Sequence, residues 1–201
     1  MMARKPKRMG KKDSPIRTAF VDAAEKLLYR EGYANLNARR VAEEAGLKKQ
    51  LLFYYFDNMD ELIAETHSRH IDAFENGLND VFSGPNPVHA LLNLQINGNA
   101  RLFTEYMAIA NHSEVLRQKI TEASNRTNDR ITEELSLIFE KNGIDKKQIP
   151  PKAILFILSS MTRNYIIQKE LNLLDFEDDV NVIVEKFLRL IGEDVNLTGD
   201  S

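Results

Sequence analysis

The chain has 201 residues, of which 43% are hydrophobic and 28% charged, and this composition excludes a largely disordered protein. The absence of cysteine excludes disulfides, thiolate metal sites and a catalytic cysteine, and no apolar run reaches the roughly 18 residues of a membrane span. The net charge of -3 is unevenly divided, since residues 1–60 carry a net +5 and residues 61–201 a net -8, so an anionic partner would meet the N-terminal part.

The N-terminal segment 1–13 is basic and has no apolar periodicity. It contains six lysines and arginines, and we predict a flexible arm that either contacts DNA or only keeps the chain soluble. Ser14 and Pro15 then supply an N-cap and a first-turn proline. Apolar residues recur at helical spacing from Ile16 until Gly32 ends the run, which predicts a first helix of about four turns.

Two short helices separated by a tight turn are predicted next. Asn37 is suited to cap the first of them, and Gly46 is suited to the left-handed backbone of the turn. Leu47 follows as the buried residue of this turn. The second short helix runs from about Lys48 to Tyr55.

The rest of the chain predicts further helices. Asn58 and Glu61 have the spacing of a capping box at the start of a fourth helix. After the interruption at 83–87, helices are predicted over 87–110, 113–141, 152–171 and 178–191. The last two are apolar on more than one face and therefore need two neighbours. Since no segment alternates like a strand, the predicted fold class is all-α.

The third predicted helix carries cationic and aromatic side chains together. With Leu52 buried, a rotation of about 100° per residue directs three residues to the opposite side: Gln50, Leu51 and Tyr54. Lys48 and Lys49 lie in the first turn, where unbonded backbone amides add positive potential. Duplex DNA fits such a surface, because lysines and amides bind phosphates while other side chains reach base edges. Arg39 and Arg40 of the preceding helix would lie close to the same groove.

The segment from Ala19 to Leu62, above all EGYANLNARRVAEEAGLKKQLLFYYFDNMDEL, resembles the DNA-binding domain of TetR/AcrR-family transcriptional regulators. The resemblance lies in a glycine and an aromatic after the first helix, a small polar N-cap, a Val-Ala pair, an Ala-Gly-aliphatic turn and an aromatic-rich exit ending in Phe. It covers roughly a quarter of the chain. The remainder is similar to that family in length, helicity and layout.

This resemblance implies an all-α chain of about nine helices with three parts: the arm 1–13, a helix-turn-helix domain over 14–62, and a helical effector-binding and dimerisation domain over 63–201. It implies that nine residues contact DNA: Asn37, Arg39, Arg40, Lys48, Lys49, Gln50, Leu51, Tyr54 and Tyr55. It implies a dimer formed by the last two helices through Ile154, Leu158, Met161, Tyr165, Ile183, Phe187 and Leu190. Candidate residues lining an effector cavity, which also suit an ordinary core, are Phe74, Phe82, Phe103, Tyr106 and Met107.

Three residues depart from the family pattern. Lys48 stands where a serine or threonine often caps the recognition helix, Phe53 replaces a frequent tyrosine, and Met59 replaces a frequent phosphate-binding lysine. Each departure removes a possible contact to the DNA backbone, so phosphate binding would depend on Tyr54, Tyr55 and the basic arm.

The function predicted from this resemblance is that of a TetR-like, ligand-responsive regulator in the cytoplasm. The expected partners are an operator duplex of near-palindromic sequence, a second copy of the chain and a small-molecule effector that releases a repressor from DNA; no membrane and no cofactor is expected. Without a phosphate loop or a nucleophile and base set, the chain is not expected to be an enzyme. His67 and His70 could share a helix face as metal ligands, but no closing ligand set accompanies them, so no metal is predicted.

Two alternative functions stay open at this level. One is a helical interaction protein whose head has lost DNA binding, for which Lys48 and Met59 are the only support. The other is a small-molecule carrier or enzyme that uses the helical cavity.

Overall fold

The protein is all helical in the computed structural model, which describes residues 13–98, 100–175 and 177–193. These residues form nine α-helices and no strand, which confirms the predicted fold class. The helices are α1 (Pro15–Glu31), α2 (Ala38–Glu44), α3 (Lys49–Tyr55), α4 (Met59–Ser83), α5 (Pro87–Asn97), α6 (Ala100–Ala110), α7 (Glu114–Lys141), α8 (Pro151–Glu170) and α9 (Glu177–Leu190). None of them, within the described ranges, is long and apolar enough to cross a membrane. The predicted basic arm lies outside the described residues, apart from Asp13.

The capping signals near the start of α4 are confirmed. The Asn58 side-chain oxygen accepts a hydrogen bond from the Glu61 backbone N–H at 2.8 Å. The Glu61 carboxylate in turn accepts a bond from the backbone N–H of Asp57 at 2.6 Å, one residue before the position that a capping box predicts. The first turn of α4 is therefore held by two reciprocal bonds.

The prediction of a single helix over 87–110 is wrong. The structure has two helices there, because α5 ends at Asn97 and the next residue, Gly98, has an extended backbone with φ -61° and ψ 156°. Glycine has one of the lowest helix propensities, so an Asn-Gly pair inside an apolar helical pattern is a natural place for a break.

The described chain forms two compact units. The first contains residues 13–71 and 101–122, and the second contains residues 72–98, 100, 123–175 and 177–193. Helices α4 and α7 each contribute residues to both units. The first unit thus contains the predicted helix-turn-helix head together with nearly all of α6.

Two apolar clusters form the first unit. The head cluster is made by α1, α2, α3 and the start of α4, and its fully buried residues include Phe20, Val41, Leu52, Phe56 and Leu62. The second cluster joins α1 and α4 to α6 and α7 through residues such as Leu28, Ile63, Leu102 and Ile109. Helix α6 also contacts the segment that follows α1, because the Glu105 carboxylate accepts a hydrogen bond from the Tyr33 backbone N–H at 2.7 Å.

The second unit has one apolar core, to which α4, α5, α7, α8 and α9 contribute. In this unit the buried Glu193 carboxylate accepts hydrogen bonds from the backbone N–H groups of Val88 and His89, in the first turn of α5, at 2.7 and 2.9 Å. Asn86, the N-cap residue of α5, makes no side-chain cap bond of its own. Glu193 therefore caps α5 from 105 residues further along the chain.

Helices α8 and α9 leave many apolar side chains exposed. Phe156 is 71% exposed, Ile183 60% and Leu190 78%, and Met161 of α8 is 36% exposed. Leu158 is different, because it is only 2% exposed and belongs to the core of its own unit. The structure therefore corrects the prediction that Leu158 contacts a second copy, since a side chain packed in its own core has no surface to offer.

Candidate nucleic-acid interface

The turn between α2 and α3 closes through backbone bonds that require a left-handed residue. Leu47 N–H bonds to the Ala42 carbonyl at 2.9 Å, and Gly46 N–H bonds to the Glu43 carbonyl at 3.1 Å. This pair of bonds is the Schellman arrangement, and Gly46 has the left-handed φ of +65° that it needs. Apart from residues 45–47, no atom lies within 4 Å of where a Cβ of residue 46 would stand, so the backbone conformation, rather than space, calls for glycine. Leu47, predicted to be buried, is half-buried against the head cluster.

The start of α2 presents two arginines beside its cap. The Asn37 side-chain oxygen accepts hydrogen bonds from the backbone N–H groups of Arg39 and Arg40 at 3.1 and 3.2 Å, which confirms the predicted N-cap. The exposed Arg39 guanidinium bonds to Glu43 one turn later at 2.8 Å, and this bond raises the pKa of Arg39. Arg40 pairs with Glu31 at the end of α1. Surface ion pairs of this kind are weak enough to exchange for phosphate contacts.

Helix α3 has one buried side and one solvated side. Leu52 and the C-cap residue Phe56 are fully buried in the head cluster. The opposite side exposes Gln50 and Tyr54, and the N-terminal end of α3 exposes two lysines. We call these four residues the recognition surface: Lys48, Lys49, Gln50 and Tyr54. The first turn of α3 contains no acidic residue, so the unbonded amides there add to the positive charge of the lysines.

Two of the predicted DNA-contacting residues are less accessible than the recognition surface. Leu51 is half-buried and packs against the head cluster, so only part of its side chain faces outwards. Tyr55 is also half-buried, and its hydroxyl accepts a hydrogen bond from Ser14 Oγ at 3.1 Å. The rings of Tyr54 and Tyr55 meet edge to face with their centroids 5.1 Å apart, which places the exposed Tyr54 ring against a fixed neighbour.

The departures from the family pattern have visible structural counterparts. Lys48 occupies the N-cap position of α3 and makes no side-chain cap bond. Met59 is the first residue of α4 and packs half-buried against the head cluster. Phe53 lies half-buried on α3, with the Lys49 ammonium 5.9 Å from its ring centroid.

Sequence reasoning missed Arg17, a buried residue of α1 that contacts the end of α3. Its guanidinium donates to the Tyr55 carbonyl at 3.2 Å and to the Glu65 carboxylate at 3.0 Å. The only signal in the sequence is its spacing, because Arg17 lies three residues before Phe20 on the apolar side of the first helix. A charged residue in that phase is unexpected unless it has a partner.

The residues predicted to line an effector cavity belong to different parts of the chain. Phe74 and Phe82 are half-buried against the core of the second unit. Tyr106 and Met107 belong to the second apolar cluster of the first unit, and Phe103 is half-buried on α6. That these five side chains line one cavity stays a prediction.

The two histidines of α4 pack against an aromatic residue. The Tyr106 ring is fully buried and meets the His67 imidazole edge to face at 5.0 Å, with the His70 imidazole at 6.2 Å. Burial, and secondarily the nearby His70, lower the pKa of His67 to about 4, and burial also lowers the pKa of His70. The described residues provide no third ligand beside them for a metal ion.

The head matches a known sequence family. The family model described as bacterial regulatory proteins, tetR family, matches residues 20–66, which run from α1 through the turn and α3 into α4. A comparison with curated proteins finds no match to this chain.

The whole described fold is similar to solved structures. A protein from Rhodococcus sp. assigned to the TetR family of transcriptional regulators has a TM-score of 0.72 at 17% identity, over 89% of this chain and 99% of that one. A protein from Pseudomonas aeruginosa PAO1 assigned as a transcriptional regulator has a TM-score of 0.70 at 16% identity, over 87% and 89% of the two chains. Another such protein, from Saccharomonospora viridis and in complex with choline, has a TM-score of 0.66 at 18% identity, over 76% and 83%. The family match over residues 20–66 confirms the predicted resemblance of the head to the DNA-binding domain of TetR-family regulators, and the described chain shares the fold of the solved regulators.

Proposed function

We propose that the protein is a repressor that binds a near-palindromic operator duplex as a homodimer and is released from it by a small-molecule effector. The observation that carries the proposal is the division of α3 into two sides. Its inner side is fixed by Leu52 and Phe56 in the head cluster, while Lys48, Lys49 and Gln50 stand exposed at its first turn. An α-helix with its side chains fits the major groove of B-DNA, which is about 12 Å wide.

In this proposal the residues of the head divide into two groups. Phosphates are contacted by Lys48 and the free amides of the first turn of α3, with Asn37, Arg40 and the hydroxyls of Tyr54 and Tyr55. The groups that meet base edges are Arg39, Lys49 and Gln50, together with the exposed part of Leu51. Arginine and lysine suit guanine, and glutamine suits adenine, because their donors and acceptors match those bases in the major groove.

Two arguments support a dimer. One head reads only a short half-site, and the exposed apolar residues of α8 and α9 form a surface that a second copy would cover. The proposed contacts are Met161, Ile183 and Leu190, with Ile154, Tyr165 and Phe187 as half-buried neighbours. With twofold symmetry the two α3 helices would enter successive major grooves about 34 to 36 Å apart.

The effector is proposed as a small molecule bound by the helices that follow the head. The choline complex of the Saccharomonospora viridis protein supports a small-molecule ligand in a fold of this kind. Such a ligand releases DNA only if it binds the DNA-incompetent state more tightly, by a coupling of about 1 to 3 kcal/mol, since equal affinity for both states shifts nothing.

The recognition surface is tested by substitutions whose effects differ in kind. We expect Gln50→Ala or Arg39→Ala to reduce sequence preference by about 1 to 3 kcal/mol, because each removes a base-edge contact. We expect Lys48→Ala to weaken binding to all duplexes and to lower the slope of affinity against salt by about one, because it removes a phosphate contact.

The measurement is a gel-shift titration at several salt concentrations, with a duplex that the protein selects from a random library and a scrambled duplex of equal length. Lys119→Ala, which removes an exposed lysine of α7, is the matched control and should leave both affinities unchanged. The proposed docking is wrong if Gln50→Ala, Arg39→Ala and Lys48→Ala all bind both duplexes like the unmodified chain.

A further inference from the structure

We propose that Arg17 is a positioning residue for the recognition surface and connects α4 to the end of α3. The inference rests on the proposed DNA binding and deepens it, because it names a residue that controls sequence discrimination without touching DNA. The buried Arg17 guanidinium contacts three parts of the head: the Tyr55 carbonyl, the Phe56 ring and the Glu65 carboxylate.

The Arg17 guanidinium contacts both the end of α3 and α4. Its Nη1 donates to the carbonyl oxygen of Tyr55, the last residue of α3, at 3.2 Å. Its Nη2 donates to Oε2 of Glu65 on α4 at 3.0 Å, and its Cζ stands 4.4 Å from the centroid of the Phe56 ring. Cationic side chains near a helix C-terminus stabilise the carbonyls that have no partner within the helix. One residue of α1 therefore fixes α3 to α4.

Helix α3 depends on such outside contacts. It has only seven residues, and helices of that length are not stable by themselves in water. Its N-cap residue, Lys48, makes no side-chain cap bond. At the other end, Tyr55 is held by Arg17 of α1 at its carbonyl and by Ser14, the N-cap residue of α1, at its hydroxyl. These contacts at the C-terminal end of α3 therefore orient the recognition surface.

Arg17 cannot reach DNA itself, since it is only 6% exposed and its Nε is buried without a hydrogen-bond partner among the described residues. Burying a guanidinium is costly, so a gain in stability explains this residue poorly. Lysine would keep the charge but not the planar group that reaches two acceptors at once and stacks on a ring. The planar guanidinium is therefore suited to hold α3 in one orientation against α4.

The test uses the full-length protein with the selected and the scrambled duplex described above. We expect Arg17→Lys to lower the ratio of the two affinities about tenfold or more, while the affinity for the scrambled duplex and its salt slope stay unchanged. Arg30→Lys is the matched control, since Arg30 is an exposed residue of the same helix, paired with Glu31 and Glu44, and should leave the ratio unchanged.

A second pair of variants decides the matter if Arg17→Lys does not fold. Glu65→Ala should lower the affinity ratio in the same direction, whereas Glu65→Gln, which keeps an acceptor for Nη2, should stay within about twofold of the unmodified chain. Glu65 is partly exposed, so both variants should fold.

Three results would overturn the inference. An unchanged ratio in Arg17→Lys, or in Glu65→Ala where Arg17→Lys does not fold, would show that α3 is oriented without this contact. An equal fall of both affinities with a salt slope lowered by about one would make Arg17 a phosphate contact, and an equal fall with an unchanged slope would make it purely structural. If the unmodified chain prefers no duplex, the proposed function fails together with the inference, and that failure is visible before any variant is made.

Discussion

Replacing Ile183 with glutamate is expected to leave the protein monomeric and to lower its affinity for an operator duplex by about a hundredfold or more. Ile183 is 60% exposed on α9, so the single chain should tolerate the charge. In the proposed dimer the same carboxylate would be buried against a second copy without a partner, which costs several kcal/mol. A single head would then bind its half-site without the gain that linking two heads provides.

The association state follows from sedimentation or light scattering, and the affinity from the gel-shift titration. The expected mass falls from twice the chain mass to the chain mass of 23.0 kDa. Leu137→Glu is the matched control, because Leu137 is 62% exposed but lies on α7 rather than on α8 or α9. A variant of Ile183 that stays dimeric and binds DNA normally would contradict the proposed dimer surface.

The second large effect concerns acid stability, which we expect His67→Leu to improve by about 2 to 3 kcal/mol at pH 4.5. In the folded chain, burial lowers the pKa of His67 from 6.5 to about 4. The unfolded chain therefore takes up a proton that the folded chain does not, and stability is lost as the pH falls from about 6.5 towards 4. Above that window both states are neutral, so this advantage of the variant should vanish at pH 7.5.

Urea unfolding at several pH values between 4 and 8 measures the effect as the difference between the variant and the unmodified chain. Taking this difference removes the contribution of carboxylates that titrate in both proteins. His112→Leu, which removes an exposed imidazole instead of a buried one, is the matched control. A difference for His67→Leu that does not vary between pH 4.5 and 7.5 would contradict the buried neutral imidazole.

Local signals in the sequence were sufficient for most helix ends and for the turn of the head. Asn37 and Gly46 were predictable because an N-cap and a left-handed turn residue act within a few positions of the chain. The split between α5 and α6 was missed because the apolar pattern continues through Asn97 and Gly98, although that dipeptide is a frequent loop signal.

Contacts between distant residues could not be predicted in this way. The cap that Glu193 provides for α5 joins positions 105 residues apart, and no periodicity in the sequence connects them. The orientation of α8 was ambiguous for another reason: when a helix is apolar on two sides, the pattern does not say which side packs in its own core. Leu158 was therefore predicted to contact a second copy, although it is buried, whereas the exposed Phe156 was not predicted.

The residues of the candidate site were predictable from the sequence, but the contacts that hold them in place were not. Lys48, Lys49, Gln50 and Tyr54 followed from helical spacing and the family resemblance, and all four are exposed. The role that we infer for Arg17 depends on where the Tyr55 carbonyl and the Glu65 carboxylate meet, which only the folded head defines.

Site-specific cross-linking can determine whether the exposed side of α3 lies against the bases of a duplex, as the proposed function requires. Because the sequence contains no cysteine, Gln50→Cys provides a unique thiol for a short photoreactive label, and Gln118→Cys provides the same thiol on exposed α7. We predict that the label at position 50 cross-links to bases of the selected duplex and that the label at position 118 does not. Cross-links from position 118 but none from position 50, in a protein that still binds the duplex, would show that α3 does not lie in the groove.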